Sequence, residues 1–215
     1  MTRSASKVAQ TPRVFVRFVS HDETRAYWTL PVIDEVKRLG CHWACSHREA
    51  RRPRSISDGD IIFMARIVDH PHNILVYGRA LAMKHVTGRD SATGADIELR
   101  PWKAEWPCYI RLRHPEFVDG TIADGVPLFA MMDELAEKTF TSTKRNAKNG
   151  NGNIDPKRAY WHQPSMELTP DATKWLSARL EHAFVQHGRI SRRTLALLDW
   201  PEGWGRTAQS SKSLV

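Results

Sequence analysis

Apolar residues alternate with polar ones in several short runs that predict strands. Residues 13–19 (RVFVRFV) follow a period of two and contain β-branched side chains. Residues 61–68 and 74–86 are two strongly apolar runs around a short polar connection, which predicts an antiparallel hairpin. Gly78 interrupts the second run and indicates a bulge or a close backbone approach. Residues 108–113 predict a further strand.

Helical spacing appears in four other segments. Residues 31–39 place apolar side chains at helical intervals between Pro31 and Gly40, and residues 128–136 repeat the pattern. A longer helix begins at Thr169-Pro170-Asp171 and ends near Gly188. Ser191 then caps a last short helix.

Polar segments separate these elements and predict loops. Residues 41–57 are polar and basic, residues 87–96 are rich in turn formers, and residues 141–158 are basic with many Asn and Gly residues, which predicts a mobile loop. The sum is an α+β fold: a mixed, mainly antiparallel, barrel-like sheet of about five or six strands with flanking helices and a C-terminal helical extension. We expect a disordered leader at 1–12, one domain at 13–168, a helical pair at 169–204 packed on it, and a disordered tail at 205–215.

Composition adds a preference for polyanionic partners. The 215 residues are 41% hydrophobic and carry a formal net charge of +8. Such an excess attracts nucleic acid through counterion release. We expect no membrane association, because no long apolar run or signal sequence is present. Three cysteines fit reduced thiols and a cytoplasmic location better than a disulfide framework.

Tryptophans and basic loops are the candidate nucleic-acid contacts. Several of the eight tryptophans fall at element ends or in loops, where an indole can stack on a base. Cations cluster in the two polar segments: Arg48, Arg51 and Arg52 in the first, and Lys144, Arg145 and Lys148 in the second. Side chains of this kind contact phosphates. The alternative for the tryptophans is packing in the core, and the alternative for the basic segments is a solvated charged loop.

Metal binding and catalysis have weaker support in the sequence. Cys41, His42, Cys45 and His47 are too crowded for a structural zinc site, and no second pair follows. We therefore predict no metal, no cofactor and no catalytic residue. A metal-dependent nuclease or base-modifying enzyme stays open as an alternative, with its acids drawn from Asp58, Asp60, Asp90, Asp96 and Glu98, the last with Lys103. A helix-turn-helix regulator within residues 170–200 is the other alternative.

Four segments between Tyr27 and about Arg113 resemble the PUA-like superfamily, most closely its EVE branch, a relative of YTH and ASCH domains. They are Ala26-Tyr27-Trp28, the run from Trp43 to Arg51, Gly59-Asp60-Ile61-Ile62-Phe63, and the strand ILVYGRALAMK. The resemblance implies a twisted, barrel-like sheet whose aromatic pocket binds one extruded, often modified base of DNA or RNA without chemistry. The chain departs from the family where Gly-Val-Arg-Asn is replaced around Cys45, Ser46 and His47.

This resemblance assigns the candidate site residues. The stacking candidates are Trp28, Trp43, Phe63 and Trp102, and base-edge hydrogen bonding would fall to Ser46 and His47. The phosphate contacts would be Arg48, Arg51, Arg52, Lys144, Arg145 and Lys148.

Overall fold

The structure, a computed structural model, describes most of the chain between residues 11 and 198. The described ranges are 11–19, 28–39, 43–47, 56–68, 72–84, 86, 90–99, 101–104, 107–160, 163 and 165–198. For residues 43–47, 99, 102 and 103 it describes the backbone alone. The expected tail, and the expected leader up to residue 10, lie outside the described residues.

In the described part of the chain, seven strands form one mixed sheet. They are β1 (Val14–Val19), β2 (Trp43–His47), β3 (Ile61–Val68), β4 (Asn73–Ala82), β5 (Cys108–Phe117), β6 (Val126–Pro127) and β7 (Ser165–Glu167). Their order is β2-β5-β4-β3-β1-β7, and β6 pairs with β4. The β1–β3 pair is parallel and the other described pairs are antiparallel. The predicted α+β class and the mainly antiparallel, mixed sheet are therefore confirmed.

The sheet is curved but open. Cα atoms of β1 and β2 come within 8 Å of each other although three strands separate them in the sheet order. Among the described residues no hydrogen-bonded ladder joins β2 to β1 or β7. Within the described residues the sheet is therefore curled but open, its edge strands β2 and β7 do not pair, and closure into a barrel is not shown.

Seven helices accompany the sheet in the described part of the chain. They are α1 (Val32–Leu39), α2 (Gly94–Leu99), α3 (Leu128–Leu135), α4 (Thr141–Asn149), α5 (Pro156–Ala159), α6 (Pro170–His187) and α7 (Arg192–Ala196). Short 3-10 helices occur at Pro101–Ala104, Ile122–Asp124 and Ala136–Lys138. The predicted helices at 31–39, 128–136, 169–188 and after Ser191 are confirmed. In these ranges no helix combines the length and apolarity that crossing a bilayer requires.

Alternating side chains give each face of the sheet its own apolar core. On the first face Val16 and Ala65 pack with Met131 of α3 and with Leu176 and Leu180 of α6. We call this set the α6 core. Strand periodicity explains the arrangement, because neighbouring residues of one strand point to opposite faces.

The second face has a separate core beneath α1. Phe15 and Ile62 pack there with Val36 of α1 and with Ile190 and Leu195 from the C-terminal segment. We call this set the α1 core. The C-terminal helices therefore contribute to the cores of both sheet faces.

Three predicted loops contain regular structure. The segment 41–57 includes β2, the loop predicted at 87–96 overlaps α2 from Gly94, and the mobile loop predicted at 141–158 contains α4 and α5. The strand β7 was not predicted. Strands β2 and β7 are short and pair with strands distant in sequence, and the helices α2, α4 and α5 are short or polar, so the local pattern of each resembles that of a loop.

Candidate nucleic-acid interface

The two described aromatic candidates, Trp28 and Phe63, lie on opposite faces of the sheet. Trp28 is half-buried and packs against the α1 core, while Phe63 belongs to the α6 core and is 1% exposed. The Trp28 carbonyl accepts a hydrogen bond from the Ala123 amide at 3.0 Å. Its indole Nε1 is buried without a hydrogen-bond partner among the described residues. These two rings therefore do not share one pocket, and Phe63 exposes almost no surface for stacking.

The remaining base-contact candidates lie on β2 and in one 3-10 helix. In the register of β2 with β5, Trp43 pairs with Arg111, Ser46 with Tyr109, and His47 with Cys108. Trp102 lies in the 3-10 helix Pro101–Ala104. The structure thus brings the backbones of Ser46 and His47 to one end of β5. The side chains of these four residues, and all of Arg48, Arg51 and Arg52, lie outside what the structure describes.

Helix α4 carries the other three phosphate candidates on its surface. Lys144, Arg145 and Lys148 are all exposed. Their spacing of three and four residues places both Lys144 and Arg145 beside Lys148 on the helix surface. The helix sequence TSTKRNAKN contains no carboxylate. Among the described residues none of the three cations forms an ion pair, so their charge is uncompensated locally.

Local hydrogen bonds hold α4 in place. Thr143 is fully buried, its Oγ1 donates to the Glu137 carbonyl at 2.7 Å, and it accepts from the Phe140 amide at 3.3 Å. Gly150 ends the helix with a φ of +67°, a conformation that glycine adopts without strain. A bridge between Phe140 and Leu168 ties its start to the segment after β7. Sequence analysis predicted a mobile loop here and missed this helix, which Thr143 and the helix-ending Gly150 could have indicated.

Three of the five carboxylates of the nuclease alternative, Asp60, Asp90 and Asp96, form structural contacts, whereas Glu98 is exposed without a partner among the described residues. Asp60 accepts from the amides of Arg13 and Ser57 at 2.9 and 2.7 Å. Asp96 accepts from the Thr93 amide at 2.8 Å. Asp90 accepts from the Val86 amide at 2.6 Å and pairs with Arg111 at 2.5 Å. In the described ranges no three His, Cys, Asp or Glu side chains form a group that could hold a metal.

The helix-turn-helix alternative falls on α6 and α7. Helix α7 has five residues, and its Leu195 is buried in the α1 core together with Ile190. Arg192 and Arg193 at its start are exposed. This geometry favours a packing role for α7, with its first residues facing solvent.

A cavity of about 610 Å³ opens beside the start of α7. Its lining includes Ile61, Phe63 and Leu81 of the sheet, Ser177 of α6 and residues 189–192. Residues 114–116 of β5 complete it. The volume falls within the range of about 300–1,000 Å³ that is usual for small-molecule sites.

Two arginines and two glutamates form an ion-pair ring at this cavity. Arg79 pairs with Glu116 at 2.6 Å and with Glu181 at 2.5 Å, and Arg189 pairs with the other oxygens of the same glutamates at 3.4 and 2.5 Å. Burial alone would lower the pKa of Arg79, but its hydrogen bonds to Glu116 and Glu181 raise that pKa above its ordinary value. All four carboxylate oxygens are thus engaged. Sequence reasoning missed this ring because its members are spread over 110 residues of sequence.

Comparison with known proteins assigns no family to the chain. No protein-family model matches it, and no curated protein has significant sequence similarity to it.

Proposed function

We propose that this protein binds nucleic acid, with α4 as a phosphate-contacting surface and an EVE-like pocket that recognises one base, modified or unmodified. The observation that carries the proposal is the exposed, locally uncompensated cation cluster of Lys144, Arg145 and Lys148 on a helix without a carboxylate. The overall charge of +8 has the same sign.

The cation cluster suits a phosphate backbone better than a compact anion. Exposed cations that have no ion-pair partner in the protein can displace the counterions condensed on a nucleic acid. The release of those counterions drives binding. Hydrogen bonds of Thr143 hold helix α4 and Gly150 caps it, so the backbone that carries the three cations is already ordered before binding. Preorganisation of this kind lowers the entropic cost of binding.

The base-recognition part of the proposal depends on the curled sheet and on β2. The resemblance places Trp43, Ser46 and His47 at the pocket of EVE-type domains, and β2 carries these residues at the edge of the sheet beside β5. Curling of the sheet, with β1 and β2 within 8 Å, is compatible with a barrel-like fold of that type. Stacking on an indole contributes about 1–3 kcal/mol per base, enough to offset much of the cost of extruding it.

Substitution of the three α4 cations tests the phosphate surface. The variant Lys144→Ala/Arg145→Ala/Lys148→Ala should weaken binding to single- and double-stranded oligonucleotides and lower the slope of log K against log salt by about 2–3. Fluorescence anisotropy at four salt concentrations measures both quantities. The matched control is Lys37→Ala/Lys174→Ala/Arg179→Ala, which removes the same charge from α1 and α6.

The outcomes separate a local surface from a general charge effect. Equal losses in the two triple variants would show that net charge alone attracts the polyanion, and absence of binding in the unmodified protein would reject the proposal. For the base pocket, Trp43→Ala should abolish any preference among oligonucleotides that carry modified cytosine or adenine. A preference that survives this substitution would place the pocket elsewhere.

A further inference from the structure

The cavity beside α7 combines an apolar wall with excess positive charge. Ile61, Leu81, Pro115 and Ile190 supply apolar surface. The ion-pair ring of Arg79, Glu116, Glu181 and Arg189 is neutral, because two cations face two anions.

Arg192 adds a charge that the ring does not balance. It lines the cavity, is exposed, and forms no ion pair with any described residue. The cavity therefore has a net positive charge at its rim next to an apolar interior. This combination matches a ligand with a flat apolar body and one anionic group.

The ring also fixes two guanidinium groups at the cavity. Each of Arg79 and Arg189 contacts both glutamates, and Arg189 lies 4.2 Å from the ring centroid of Phe184. Nucleobases stack on guanidinium planes as well as on aromatic rings. A held guanidinium loses little further entropy on stacking.

His114 at the cavity has an unusual backbone. Its φ is +51°, and it precedes Pro115 within a bulge of β5 opposite β4. Residues other than glycine are strained in this conformation, and such strain is concentrated at ligand-binding sites. The bulge directs residues 114–116 to the cavity at the point where β4 and β5 lose register.

We propose that this cavity binds one nucleotide unit, with the base in contact with the apolar lining and the guanidinium groups of Arg79 and Arg189 and with the phosphate on Arg192. The inference rests on the proposed function and deepens it by adding a second nucleotide site, which Trp28 does not line. A free nucleoside monophosphate and a nucleotide within a strand share this chemistry, and binding experiments distinguish the two sources.

The first experiment titrates the full chain with AMP, GMP, CMP and UMP, with the four nucleosides, and with inorganic phosphate, by calorimetry. Saturable binding of at least one monophosphate, tighter than its nucleoside and tighter than phosphate, is the expected result. Arg192→Ala should weaken that binding about 10–100-fold, the loss expected for one charged hydrogen bond. Arg193→Ala is the control, because Arg193 is the exposed neighbour that does not line the cavity.

A second variant blocks the cavity itself. Ser177→Trp on α6 should abolish nucleotide binding, and circular dichroism with thermal unfolding checks that the fold is retained. Arg192 is exposed, so Arg192→Ala should leave the fold intact. This variant therefore still tests the site if Ser177→Trp unfolds the protein.

If no monophosphate binds, an oligonucleotide becomes the probe. Weaker oligonucleotide binding in Arg192→Ala than in Arg193→Ala would support a nucleotide within a strand. Equal effects of both substitutions, or phosphate binding as tight as the nucleotide, would overturn the inference. Nucleotide binding that persists in the triple α4 variant would show that this site is independent of the α4 surface. The cavity proposal and the α4 proposal can therefore be rejected separately.

Discussion

At the scale of the residue, Gly78 occupies a place in β4 that has no room for a side chain. A Cβ atom there would lie 2.4 Å from Cδ1 of Phe117 and 2.6 Å from the Glu116 carbonyl oxygen. Both neighbours belong to β5, the strand hydrogen-bonded to β4. Gly78→Ala should therefore lower the free energy of unfolding by about 1–3 kcal/mol, the usual cost of overpacking. Urea denaturation followed by tryptophan fluorescence measures the change.

Gly94 provides the matched control for that substitution. It is the first residue of α2, and a Cβ atom there would meet nothing within 4 Å. Gly94→Ala should be neutral or stabilise the protein by up to about 1 kcal/mol, because alanine restricts the unfolded chain. Equal unfolding free energies for the two alanine variants would contradict the close approach of β4 and β5 at Gly78.

The sequence predicted the special role of Gly78 but not the surroundings of the aromatic candidates. A glycine inside a strongly apolar strand already indicates a close backbone approach. An aromatic residue in a strand, by contrast, reaches either a core or a pocket, and alternation alone does not distinguish them. Phe63 is part of the α6 core, whereas Trp28 lies against the α1 core. Their separation depends on the sheet pairing, which no local pattern encodes.

At the scale of the element, the ion-pair ring fastens α6 to β4 and β5 in a pH-dependent way. Partial burial would raise the pKa of Glu181, but hydrogen bonds and charge attraction from Arg79 and Arg189 lower that pKa below its ordinary value. A lowered pKa in the folded state means that the stabilising contribution is present above the unfolded pKa of about 4.3. It is lost as the pH falls through the lower, folded value.

Glu181→Gln should consequently reduce stability at pH 7 and lose its effect in acid. The difference in unfolding free energy between this variant and the unmodified protein should shrink as the pH falls below about 4.3. Chemical denaturation at several pH values provides the measurement. Glu98→Gln is the control, since Glu98 is exposed on α2 without a described partner. A Glu181→Gln effect that is constant with pH would mean that the ring stabilises through packing and not through charge.

The long apolar elements were predictable from the sequence, and the short polar ones were not. The hairpin of β3 and β4 and the helices α1, α3 and α6 follow directly from their periodicity. Helix α4 buries Thr143 alone, so it has no apolar stripe to reveal it. Strand β2 exists through its pairing with β5, more than 60 residues away in register, and β7 through its pairing with β1. Such partners are visible only once the sheet has formed.

At the scale of the whole molecule, the C-terminal helices are part of the fold's stability. Helix α6 buries Ala172, Leu176, Leu180, Ala183 and Phe184 in the α6 core, and the segment after it adds Ile190 and Leu195 to the α1 core. Replacing one buried leucine with alanine costs about 2–5 kcal/mol, and a domain of this kind has about 5–15 kcal/mol in total. Losing all seven of these side chains would thus exceed the available stability.

A chain shortened to residues 1–168 should therefore fail to fold cooperatively, while Leu180→Ala in the full chain should lower the unfolding free energy by about 2–5 kcal/mol. Exposed Val185 on the same helix gives the control, since Val185→Ala removes a side chain that is 81% exposed and should change stability by about 0.5 kcal/mol or less. Thermal unfolding monitored by circular dichroism distinguishes the cases. A cooperative transition in the shortened chain would show that the sheet folds without α6 and that the C-terminal helices are an appendage. If the shortened chain does not fold and Leu180→Ala lowers the unfolding free energy as expected, the packing of α6 is required for the fold. The cavity beside α7, which α6 and residues 189–192 line, then depends on the same packing.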